Sequence, residues 1–148
     1  MYATVDEVRA MIKEDAIDSL IDDRHIEDEN ERDVLLRDIT LGAIQDADAE
    51  INGYLARRYP VPLTTIPQMI NKLSKDIALY NLFSRRGIDE QSEEKNYLTR
   101  YKAAIDFLKL VAEGKAEIGL DTPKQAAASG FTMQSSERLF SRKSMKGY

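Results

Sequence analysis

Residues 31–62, ERDVLLRDITLGAIQDADAEINGYLARRYPVP, hold one unbroken helical stripe and the signal that ends it. Leu36, Ile39, Ala43, Ile44, Ala47, Ile51, Tyr54 and Leu55 recur at spacings of three and four, which predicts a long amphipathic helix over 31–58. Asp38, Gln45 and Asp48 fall on the opposite side and are expected in solvent. Gly42, Ala43 and Ala47 are small enough to admit another helix at close range, at some cost in propensity for the glycine. Pro60 stops the helix. Each proline of Tyr59-Pro60-Val61-Pro62 pushes its predecessor out of the α region, so this run is extended.

The same period continues on both sides. Thr4 followed three residues later by Glu7 is a capping box, opening a short helix with Val5, Val8, Met11 and Ile12 inward. A second brief helix over 14–22 carries Ile17, Leu20 and Ile21, and Asn30 is placed to cap the long one. A further helix is predicted from Thr65, with Pro67 in its first turn and Ile66, Ile70, Leu73, Ile77 and Tyr80 as a core stripe. Arg85-Arg86-Gly87 closes it, the glycine allowing a left-handed exit. The last helix covers 91–113, with Tyr97, Tyr101, Ala104, Ile105, Leu108 and Ala112 on its buried side and Gly114 at its end. The fold class is therefore all-α: a helical bundle of three long and one or two short helices.

Beyond residue 121 the pattern changes. Ala126-Ala127-Ala128-Ser129-Gly130 reads as a link, Phe131-Thr132-Met133-Gln134-Ser135 alternates apolar and polar, and Arg138-Leu139-Phe140-Ser141-Arg142 sets two apolar residues between arginines. Such a segment cannot build a core alone. The chain thus divides into a helical domain, 1–121, and an extended C-terminal arm, 122–148. Charge divides with it. Residues 124–148 carry five basic side chains against Glu137 alone, a net of +4, whereas the preceding 123 residues hold 16 basic and 25 acidic groups, a net of −9. A basic arm on an acidic body suits docking on an acidic protein surface, such as a neighbouring copy. Nucleic acid is the rival partner, but an acidic body repels phosphates and a short arm offers few contacts.

The chain carries little that could do chemistry. With no cysteine there is no disulfide, thiolate metal site or cysteine nucleophile. His25 is the only histidine and lies in a charged loop, without the companion ligands that zinc requires. The acidic run from Asp22 to Asp33 has no glycine and does not keep the register of a calcium loop. Asp46 and Glu50 lie one turn apart, but Arg57 and Arg58 nearby favour surface ion pairing over metal binding. There is no Gly-rich phosphate loop and no nucleophile elbow. No catalytic residue, cofactor or metal site is expected. No secretory signal and no membrane-spanning segment is expected either.

Several segments carry a family resemblance. They are Met1-Tyr2-Ala3-Thr4-Val5-Asp6-Glu7-Val8, the run from Asp46 to Leu63 (DADAEINGYLARRYPVPL), Asp76-Ile77-Ala78-Leu79-Tyr80, Gly114-Lys115-Ala116-Glu117-Ile118-Gly119-Leu120, and the closing Arg138 to Tyr148 (RLFSRKSMKGY). Together they resemble a Mu-like phage and prophage family of head–tail connector, or adaptor, proteins, along nearly the whole chain. The Gly-Tyr-Leu…Arg-Tyr-Pro-Val-Pro-Leu run is the most specific part. The acidic loop departs from the glycine-containing turns common in relatives, so no ion site is carried over.

The resemblance implies a virion structural protein of the phage neck, made in the host cytoplasm. It implies a ring beneath the portal, commonly dodecameric, through which DNA passes without sequence-specific binding. Expected partners are the portal protein, other copies of the chain and a tail-completion or tail-terminator protein, with no membrane. The arm is expected to grip the portal or a neighbouring subunit through Phe131, Met133, Leu139, Phe140, Met145 and Tyr148, with Arg138 and Arg142 paired to carboxylates. The alternatives are a nucleic-acid-binding accessory protein and a tail-completion protein lower in the neck.

Overall fold

A computed structural model describes residues 1–21, 26, 28–88, 91 and 94–121. Among these the regular elements are all helical: α1 (Val5–Arg9), α2 (Glu14–Ile21), α3 (Glu29–Leu55), α4 (Gln68–Ser84) and α5 (Lys95–Ala112). At about 1.5 Å per residue, α3 is about 40 Å long and serves as the spine. It packs along α4 and α5, which also pack on each other, while α1 lies across α3 and α4 and α2 rests on α3.

The helix ends follow local chemistry. Thr4 Oγ1 accepts the Glu7 N–H at 3.3 Å and the Glu7 carboxylate accepts the Thr4 N–H at 2.8 Å, completing the capping box. α3 is capped not by Asn30 but by Asp28, whose carboxylate accepts the Asn30 N–H at 2.8 Å; a charged acceptor wins at a helix N-terminus. Pro67 is the N-cap of α4 rather than part of its first turn. Ile66 thus lies outside the helical period and is 43% exposed, not a core residue. Gly87 and Gly114 take φ of 88° and 80° just beyond α4 and α5, the left-handed exits that their positions predict.

Leu36, Ile44, Ile51 and Leu55 of α3, Ile70, Ile77, Leu79 and Leu82 of α4, and Leu108 and Val111 of α5 are buried, forming the core with Val8 of α1. Each such side chain contributes about 2 kcal/mol on leaving water. Aromatic stacks supplement it between α4 and α5: Tyr80 on Tyr101 with centroids 4.0 Å apart, and Phe83 on Tyr97 at 4.4 Å. Ala43 and Ala47 are buried, as small residues at a helix crossing should be. Gly42 is different, because a Cβ there would meet nothing within 4 Å. No helix among the described residues is long and apolar enough to cross a membrane.

Candidate functional site

The eight arm residues expected to make contacts, Phe131, Met133, Arg138, Leu139, Phe140, Arg142, Met145 and Tyr148, lie outside the described residues, as does His25. The described body shows how a rigid scaffold is tied together and what surface it presents.

The first tie is at the N-terminus. Tyr2 is buried between α3 and α4. Its backbone N–H donates to Asp48 Oδ2 at 2.9 Å, its hydroxyl donates to Asn52 Oδ1 and accepts the Leu63 N–H at 2.9 Å, and its carbonyl accepts from Asn71 Nδ2 at 2.9 Å. Ser74 donates to the other Asp48 oxygen at 2.9 Å. Asp48, expected on the solvated side of its helix, is thus a half-buried junction between the N-terminal segment, α3 and α4. Burial pushes the Tyr2 phenol upward, against the lowering effect of the Leu63 N–H, and the Asp48 charge adds to the rise. In the opposite sense, the Thr4 N–H and the Asn71 amide hold the Glu7 carboxyl below its usual range.

Two further ties hold α5. Asp76 of α4 is 2% exposed and is paired by Arg100 of α5 and by Lys72 one turn back at 2.8 Å. Arg58, just beyond α3, donates to the Val111 and Ala116 carbonyls at 3.1 and 3.2 Å, capping the end of α5. The ion pairing expected between Arg57 or Arg58 and the Asp46–Glu50 pair is not formed among the described residues. The free carbonyls at the end of α5 claim Arg58 instead, and Glu50 accepts the Tyr101 hydroxyl at 3.1 Å. Burial raises the Tyr101 phenol to about 12, with that hydrogen bond and the Glu50 charge adding to the rise. Among the described residues, no three histidine, cysteine, aspartate or glutamate side chains gather to hold a metal ion.

The outward surface of α3 is furrowed. A groove of about 410 Å³ runs between α3 and the end of α4, floored by Gly42 and Ala43 and edged by Asp38, Asp46, Asn81 and Arg85. Asp38 also edges a second, mainly apolar hollow of about 360 Å³ that includes Val34 and Leu35. Val34 is 60% exposed, an apolar side chain left uncovered beside the acidic edge. The two hollows share Asp38, and acidic and apolar side chains line both.

Residues 2–136 match the family model described as Bacteriophage Mu, Gp36. Over 108 residues, 72% of each chain, the sequence is 32% identical to the Mu-like prophage FluMu protein gp36 of Haemophilus influenzae. Over 109 residues, again 72% of each, it is 30% identical to gene product J of Escherichia phage Mu.

Proposed function

Since the chain belongs to the bacteriophage Mu Gp36 family, we propose that it is a head–tail connector subunit of a tailed phage or Mu-like prophage, acting by contact and not by catalysis. Copies form a ring at the virion neck between portal and tail, and DNA passes through without being read. The observation that carries this is the family match itself, which spans the helical body and continues into the C-terminal segment. Among the described residues the last buried core side chain is Ile118, and the family match runs on to residue 136. The matched pattern thus extends into the link and the alternating Phe131-Thr132-Met133 run, and the basic, partly apolar segment that follows from Arg138 suits gripping another chain. A ring requires heterologous interfaces, in which one surface of each copy meets a different surface of the next. An acidic body is also compatible with a channel in which DNA slides without sticking.

Removal of residues 126–148 tests the proposal. The shortened chain is expected to keep its helical circular dichroism and cooperative melting but to be missing from purified particles, which then lack tails. Normal incorporation of the shortened chain would overturn it.

A further inference from the structure

We propose that the furrow on α3 is the seat for the C-terminal arm of a second copy of this chain, with Phe140 lying over Gly42 between two arginine–aspartate pairs. This rests on the reading of the arm as an inter-subunit device and names the surface that receives it.

Asp38, Gly42 and Asp46 follow one another at four-residue intervals along α3 and edge the same groove. Both carboxylates are exposed, and among the described residues neither takes part in an ion pair. Gly42 sits in a helix interior, where glycine costs about 1 kcal/mol relative to alanine. Its φ is not positive, and, its chain neighbours and own helix backbone aside, nothing of the described chain lies within 4 Å of where a Cβ would be. The described fold therefore gives no reason for a glycine there, whereas a side chain arriving from another molecule would need the space.

The arm fits this surface in charge and in spacing. Alternate residues of an extended segment share a side, so an arm docked in that form would present Arg138, Phe140 and Arg142 of Arg138-Leu139-Phe140-Ser141-Arg142 together. Four residues of extended chain put the two arginines about 13 Å apart. Eight residues of α-helix put Asp38 and Asp46 about 12 Å apart. An aromatic ring midway between the arginines then falls over the glycine midway between the aspartates. Among the described residues Arg85 is the one cation edging the groove; Asp38 and Asp46, with Glu31 in the adjoining hollow, outnumber it. The Asn81 amide N–H donates to the Ala43 carbonyl at 3.4 Å, so that donor is not left to face an incoming guanidinium. The exposed Val34 beside Asp38 extends the apolar floor.

The chain has no native cysteine, so a disulfide can report this contact directly. Full-length Gly42→Cys and Phe140→Cys variants, mixed at high concentration under mild oxidation, are expected to give a mixed disulfide dimer. The yield should be at least about tenfold above that from Phe140→Cys with Thr64→Cys, an exposed position elsewhere, because docking raises the local thiol concentration. Adding Arg138→Asp and Arg142→Asp to the Phe140→Cys chain is expected to remove the excess. As a second measure, Gly42→Leu should fold with an unchanged or raised melting temperature yet fail to assemble into rings. Equal yields at Gly42 and Thr64 would overturn the proposal, as would closure of a Gly42→Cys/Phe140→Cys double variant within single chains at high dilution. The two levels separate cleanly. A Gly42–Phe140 link in a chain whose arm proves dispensable for the neck sinks the connector reading alone. A missing link in a chain whose arm is essential sinks the groove alone.

Discussion

The hydroxyl of Tyr2 accepts the backbone N–H of Leu63 at 2.9 Å while donating to Asn52, joining the N-terminal segment to the α3–α4 connection across 61 residues of chain. Tyr2→Phe keeps the ring but leaves the buried Leu63 N–H without its acceptor. The expected cost is about 1–3 kcal/mol, each kcal/mol lowering the melting temperature by about 2–4 °C. Thermal unfolding followed by circular dichroism measures it, and an unchanged melting temperature would mean that the clasp adds nothing.

Asp76 has two cationic partners of unequal standing. The Arg100 side chain is 31% exposed, whereas that of Lys72 is 63% exposed. Arg100→Ala strips the better shielded partner from a buried carboxylate and is expected to cost about 2 kcal/mol. Lys72→Ala removes a largely solvated ammonium and should cost under about 1 kcal/mol. Urea unfolding of both variants checks the order, and a larger loss for Lys72→Ala would contradict it.

Tyr59 is buried with no hydrogen-bond partner for its hydroxyl among the described residues. Tyr59→Phe removes a polar atom that burial has stripped of water, so the expected change is a stabilisation of about 1 kcal/mol. A fall in stability on urea unfolding would show that the hydroxyl is satisfied.

Burial raises the Tyr101 phenol from 10.0 to about 12. A group that holds its proton more tightly when folded contributes stability that is fully present below pH 10 and lost as pH rises through about 12. The melting temperature is therefore expected to fall across that window more steeply in the parent chain than in Tyr101→Phe. Parallel profiles would place the phenol's titration elsewhere.

What could be read from sequence depended on whether a feature was local. The stripe from Leu36 to Leu55 and the Thr4–Glu7 box are written in spacings of three and four, and both appear as the periodicity predicts. Spacing alone sets Asp48 on the solvated side, because a carboxylate on a helix ordinarily faces water; its partners Tyr2 and Ser74 lie 46 and 26 residues away, where no spacing rule reaches. Ile66 continued the four-residue rhythm of α4, but the helix begins only after Pro67. Gly42 reads as a place of close approach, but only the fold shows that among the described residues no other helix comes within 4 Å of where its Cβ would stand. The eight arm residues expected to make contacts lie outside the described residues, so composition alone speaks for them.

Electron cryo-microscopy of assembled particles tests the central claim most directly. The expected result is a ring of helical bodies between portal and tail, with each C-terminal arm crossing to a neighbouring chain. A neck complete without this protein, or a ring in which every arm folds back on its own subunit, would contradict it.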